Sequence, residues 1–171
     1  CAEACGVAVL HLAEEVSTAS VELLGSAVRC DGRSASLTAP NGQAQQALLR
    51  AALADAGVLA DAVTRLEAHG TGTALGDPIE MGSAVGAFLP SRTGAAPAPP
   101  IAVGSVKANA GHAEPAAGIS GLLLLAAGLA RRALAPNAQL RVLNAHVRAA
   151  LPSNAAALAL PVMGLGRASA S

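Results

Sequence analysis

Residues 63–80 read VTRLEAHGTGTALGDPIE. The start of this stretch, 63–68 (VTRLEA), predicts a short strand. The run 69–77, HGTGTALGD, predicts a glycine-rich loop. Asp77 followed by Pro78 predicts an N-cap with proline at the first helical position. Glu80, three residues after Asp77, completes the pattern of a helix start, so a helix is expected from 78 to about 89. Strand, loop and helix in immediate succession form the unit from which parallel α/β sheets are built.

Strand and helix signals continue on both sides. Downstream, 101–106 (IAVGSV) predicts a buried strand and 107–114 (KANAGHAE) a second polar loop. A long apolar helix is expected from Pro115 to about Arg131, closed by two cations, Arg131 and Arg132. Upstream, 43–56 carries apolar residues at Leu48, Leu49, Ala52 and Leu53, the helical period, with Asn41 placed to cap it and Gly57 to end it. Further strands are expected at 6–12 (GVAVLHL), within 19–29 and at 158–162, with loops at 31–43 and 90–100 and irregular chain over 136–153. Alternation of this kind argues for an α/β fold with a largely parallel sheet. Ligands then sit at the carboxyl ends of the strands, where both polar loops fall.

Composition narrows the function classes. Of 171 residues 53% are hydrophobic and 13% charged, which excludes a disordered chain. Eleven basic and eleven acidic side chains leave no net charge, which argues against nucleic acid as the main partner and against attraction to anionic membranes. With one Phe and no Tyr or Trp, the core must be built from Ala, Val, Leu and Ile in closely packed elements. So apolar a composition with so little charge to cover it suggests a neighbour, as in part of a larger fold or assembly. The cysteines, Cys1, Cys5 and Cys30, form no CxxC pair, and reduced, buried thiols of an intracellular protein are expected. The apolar run 115–130 is too short to span a bilayer and is interrupted by glycines, so no transmembrane segment is expected. No signal peptide is visible and the first residue is not Met, so the true start is expected elsewhere; the expected location is the cytoplasm.

Two loops carry the candidate chemistry. His69 precedes Gly70 and Gly72, with Thr71 and Thr73 between and after them; His112 follows Gly111, five residues after Lys107. Glycine beside histidine permits tight turns and close ligand approach. Hydroxyls at alternate positions can bind a polar, amide-bearing arm. Two imidazoles at the ends of two sheet strands can donate to one oxygen and stabilise an oxyanion or enolate, and Lys107 would disfavour protonation of a nearby imidazole. Spacing alone leaves the plainer alternative open, that each histidine is an ordinary polar loop residue. A nucleotide site is weak because neither GxGxxG nor GxxxxGK[ST] occurs here, and no HxxxH pair supports a metal site. His11 and His146 have no such setting.

At these residues the chain resembles a known family. Residues 67–73 running into 76–80 resemble the EAHGTGT…GDPIE motif of β-ketoacyl synthase domains, in the form typical of type I polyketide synthases. Residues 105–112, with Ala116, Ala117 and Gly118, resemble the family's SxKxNxGHxxxAAG motif. Residues 37–42 with Gln45 and Gln46 match a further ketosynthase stretch. The resemblance runs over essentially the whole chain.

The resemblance implies a thiolase-like α/β fold. The whole of residues 1–171 would be the C-terminal portion of a ketosynthase domain, roughly the second half of a five-layered α-β-α-β-α arrangement. It implies an acyltransferase reaction of polyketide or fatty acid synthesis: decarboxylative Claisen condensation of acyl and malonyl thioesters. His69 and His112 would assist decarboxylation and stabilise the enolate, Lys107 would position His112, and Thr71 and Thr73 would contact a phosphopantetheine arm. An acyl carrier protein and an N-terminal ketosynthase half, in a dimer or larger complex, are the implied partners. No metal or directly bound cofactor is implied. Two departures bear on activity. No TACSS-type segment with the nucleophilic cysteine is present, and the family's GFGG-type loop is replaced by 163–167 (MGLGR), with Leu165 at the place of a gating phenylalanine. Whether the chain is itself an enzyme is therefore open, the alternative being a catalytically silent component with a structural or interaction role in a larger complex.

Overall fold

A computed structural model describes residues 2–12, 21–34, 39–92, 98–138, 140–151 and 158–161. Helix α1 spans Gly42–Ala56. The Asn41 side chain accepts from the amides of Gln43 and Ala44 at 3.0 and 3.2 Å, satisfying two of the donors a helix start leaves open. The helix closes at Gly57, whose φ of 62° is the left-handed conformation that glycine adopts without strain. Then follow β1 (Arg65–Glu67), α2 (Gly76–Phe88), β2 (Ile101–Gly104), α3 (Val106–Ala110), α4 (Ala117–Ala130), α5 (Ala145–Ala150) and β3 (Leu158–Ala159), with single 3₁₀ turns at Ala60–Ala62, Leu89–Ser91 and Glu114–Ala116.

The strands form one parallel sheet in the order β1-β2-β3. Arg65 lies opposite Ala102, Glu67 opposite Gly104 and Ile101 opposite Leu158. The period-two alternation of strands assigns the two faces. Leu66, Ile101, Val103 and Leu158 turn into the core, where they meet Met81, Ala84 and Phe88 of α2, Val147 of α5, and Leu49 and Leu53 of α1. Burying a side chain such as Phe88 contributes about 1.5–3 kcal/mol. The opposite face offers Arg65, Glu67, Ala102 and Gly104, which line a small cavity with Leu124, Leu125 and Gly128 of α4. Helix α4 comes close over this face because Gly121 has no side chain: a Cβ there would stand 3.0 Å from Glu67 Cγ.

Several expectations need correction. Among the described residues, 6–12 and 21–29 form no strand, and Val7, Val9, Leu10, Leu12, Leu23 and Val28 are exposed. Their composition suits a strand, but no ladder among the described residues pairs them with β1, β2 or β3. Instead Gly6 lies against Ile119 and Leu123 of α4. Helix α4 is not buried all round. Ala117 and Gly121 are buried, whereas Leu122 and Leu129 are 48% and 45% exposed, because only one side of the helix meets the sheet. The expected polar loop 107–114 contains α3, started by Ser105, whose Oγ accepts from the Lys107 amide. The irregular stretch 136–153 contains α5, capped by Asn144 on the His146 amide. Asp77 does not cap α2, which begins one residue earlier without a side-chain cap. Cys5 and Cys30 are exposed rather than buried; Cys1, residues 162–171 and parts of the 19–29 and 90–100 predictions lie outside the described residues. Among the described residues no helix is long and apolar enough to cross a membrane.

Candidate active site

Both histidine loops leave the sheet at the same level. The β1–β2 ladder ends with Glu67 opposite Gly104, and one further bond, Ala68 N–H to Gly104 O at 2.7 Å, carries the pairing to the loop mouth. His69 is then two residues past β1, and Ser105 one residue past β2.

The first loop is held by the acidic residues expected to start a helix. The Glu80 carboxylate accepts from the His69 and Gly70 amides at 2.6 and 2.9 Å, and Asp77 accepts from the Gly72 amide at 3.1 Å. These amides would otherwise lack partners in a loop that forms no ladder, so the carboxylates are drawn to them rather than to the helix start. Thr73 Oγ1 accepts from the Gly76 amide at 3.1 Å, which commits that hydroxyl to the turn. Gly70 has a φ of 50°, and a Cβ on it would lie 2.8 Å from Ser105 Cβ, so conformation and space both require glycine there.

The second segment is anchored beneath. Ser105 Oγ donates to the His69 carbonyl at 3.3 Å, tying one loop to the other. Asn137 is buried: its Oδ1 accepts from the Ser105 amide at 3.1 Å, and its Nδ2 donates to the carbonyls of Val103 and Pro161 at 3.1 and 3.2 Å. The Glu67 carboxylate accepts from the Val106 amide. Burial pushes the Glu67 carboxyl above its ordinary value, with Glu80 adding to the rise; the Val106 amide and the Lys107 ammonium oppose it. Sequence reasoning assigned no role to Glu67, Ser105 or Asn137. Two of them stood inside recognised motifs, but Asn137 lay in chain read as irregular, and no local signal marks it.

The rings of His69 and His112 meet edge to face with centroids 5.7 Å apart. Glu114, in a left-handed conformation with φ 43°, donates its amide to His112 Nδ1 at 3.2 Å. A neutral imidazole accepting at Nδ1 carries its proton on Nε2. His112, Lys107 and Thr71 line a cavity of about 520 Å³ with Gly70, Asn137 and Leu143; His69 and Thr73 are not among its lining residues. His69 stands beside it through its contact with His112. Among the described residues no three His, Cys, Asp or Glu side chains are grouped to hold a metal ion.

A family model described as "Beta-ketoacyl synthase, C-terminal domain" matches residues 20–141. The chain is 46% identical over 123 residues to spectinabilin polyketide synthase system protein NorA' of Streptomyces orinoci, covering 72% of this chain and 3% of that protein. It is 43% identical over 125 residues to mycoketide-CoA synthase of Mycobacterium tuberculosis, covering 73% of this chain and 3% of that one. The oxazolomycin ketosynthase domain OzmH KS7 of Streptomyces albus JA3453 superposes with a TM-score of 0.72 at 35% identity, over 82% of this chain and 23% of that structure. The chain therefore spans a small part of the length of the proteins it matches.

Proposed function

The chain belongs to the β-ketoacyl synthase family through that family's C-terminal domain, with the thiolase-like α/β fold, and from that premise we propose that it supplies the two-histidine half of a Claisen-condensing site in a polyketide or fatty acid synthase. On this reading residues 1–171 are the C-terminal portion of a ketosynthase domain. The nucleophilic cysteine comes from the N-terminal half, and an acyl carrier protein delivers both thioesters on its phosphopantetheine arm. The observation that carries the reading is the edge-to-face pair of His69 and His112 at the ends of two adjacent parallel strands, beside a cavity lined by Lys107 and Thr71.

The chemistry follows from the groups present. A malonyl thioester enters with its thioester carbonyl oxygen towards the imidazoles. His112 donates from Nε2, since Nδ1 is taken by the Glu114 amide, and His69 donates a second N–H to the same oxygen. The bond to the carboxylate breaks, carbon dioxide leaves, and the electron pair enters the enolate held by the two donors. The enolate carbon attacks the acyl carbonyl on the cysteine, and the thiolate leaves. Lys107 sets the position and electrostatic surroundings of His112, and Thr71 contacts the pantetheine arm. Thr73, whose hydroxyl accepts from the Gly76 amide, shapes the turn that presents Thr71 and can still donate its O–H to the arm.

The test is decarboxylation of a malonyl thioester by the parent synthase, or by this chain assembled with a cysteine-bearing N-terminal ketosynthase half. His69→Ala and His112→Ala are expected to lose decarboxylation about a hundredfold or more while the cysteine still takes an acyl group. The isolated chain is expected to form no acyl adduct. Decarboxylation at the parent rate in both variants would overturn the reading. An assembled, acylated protein that neither decarboxylates nor condenses would instead favour a catalytically silent, structural role.

A further inference from the structure

We infer that Glu67 is a positioning residue that holds the His69 loop and the Lys107–His112 segment in one frame; the inference rests on the functional reading above. Glu67 is the last residue of β1, two before His69, and its carboxylate accepts from Val106, the first residue of α3. Lys107 follows in the same helix, and His112 lies two residues past its end. Ser105 makes a parallel link through its hydroxyl to the His69 carbonyl. Both bonds are thus donated from the β2–α3 side to the β1 side, and they bracket the point where the loops diverge.

The surroundings favour this role over simple packing. Gly121 of α4 covers the Glu67 side chain, which also borders the cavity beneath α4. An apolar side chain would suit that half-buried place better than a carboxylate, whose desolvation works against it. What an apolar side chain cannot do is accept from the Val106 amide. Displacing α3 by a fraction of an ångström would carry Lys107 and His112 with it, and reacting groups out of line by about 1 Å lose up to a hundredfold in rate.

The experiment compares Glu67→Gln, Glu67→Asp and Glu67→Ala in the full synthase. Gln keeps an acceptor oxygen at the same reach, Asp keeps the charge but falls short, and Ala removes both. Asp and Ala are expected to lower kcat for malonyl decarboxylation about tenfold to a hundredfold, with KM and cysteine acylation within about twofold and Gln within about threefold of the parent. Hydrogen–deuterium exchange over 69–72 and 105–112 is expected to quicken in Asp and Ala and not to quicken in Gln. Parent-like exchange in Asp and Ala, or a Gln variant as impaired as Ala, overturns the inference. If the parent synthase itself does not decarboxylate, the functional reading fails, and the exchange comparison still decides whether Glu67 joins the loops.

Discussion

Replacing Gly70 with alanine tests how the two histidine loops are held at their distance. Two penalties arise. The φ of 50° is left-handed, which costs an L-residue about 1–2 kcal/mol. The new Cβ would also stand 2.8 Å from Ser105 Cβ and 3.0 Å from its Oγ. Ordinary carbon contacts are about 3.5–4.0 Å, so Ser105 or the loop must move by at least ~0.7 Å, with a crowding cost of about 1–3 kcal/mol. Ser105 has little freedom to yield: its amide is held by Asn137, and its hydroxyl bonds both the His69 carbonyl and the Lys107 amide. Gly72→Ala is the control. Its φ of 77° carries the conformational cost, but nothing lies within 4 Å of the new methyl. In the assembled ketosynthase, Gly70→Ala is expected to lose about 2–5 kcal/mol, and Gly72→Ala only about 1–2. Malonyl decarboxylation should fall about tenfold to a hundredfold in the first variant and by less than threefold in the second. Equal damage by the two substitutions, in melting and in rate, would refute the crowding argument.

On α4, Leu122→Asp is expected to leave the melting of the isolated chain within about 0.5 kcal/mol of the parent, because Leu122 is 48% exposed, yet to abolish co-purification with a cysteine-bearing half. Leu124→Asp, which places a charge in the cavity between α4 and the sheet, should prevent cooperative folding, as circular dichroism melts would show. The raised carboxyl of Glu67 means the folded state binds a proton more readily than the unfolded one, so its contribution to stability is greatest below the ordinary value of 4.5 and declines as pH rises through the folded value. Glu67→Gln should therefore melt higher than the parent at pH 7, with the gain vanishing in acid; Lys107, Glu80 and Arg65 are the charged groups nearby whose substitution would alter the curve. Asn137→Leu removes the side-chain acceptor of the Ser105 amide and should lower stability by about 1–3 kcal/mol in denaturant titrations.

What the sequence made legible was whatever rests on local pattern. Asn41, the period through Leu53 and Gly57 marked α1 to within one residue, since cap, stripe and stop all lie on contiguous chain. The parallel sheet and the placement of both loops at its carboxyl ends followed from strand–loop–helix order. Helix α3 went unread because five residues are too few to show a helical period. The strand reading of 6–12 failed because a strand is defined by its neighbour, and composition does not say whether one is there. Asp77 and Glu80 fitted a helix start, but the free amides of the glycine loop just upstream competed for the same oxygens. Glu67 and Asn137 act on partners more than thirty positions away, which no spacing rule reaches.

The level ending of β1 and β2 has a consequence for how this site tolerates change. Because Glu67 lies opposite Gly104 in a main-chain ladder, the spacing of the histidines is set by backbone register and loop length, not by the bulk of any core residue. Exchanges among apolar side chains beneath the sheet should leave that spacing almost untouched. Insertions and deletions should not. A one-residue slip turns the slipped strand's buried face outward, and a two-residue slip, which restores the faces, moves one loop past the other by about 6.6 Å. That exceeds the 5.7 Å between the rings. Variation among relatives that keep the histidine pair should therefore accumulate as substitutions in the core, while the number of residues between 67 and 69 and between 104 and 112 stays constant.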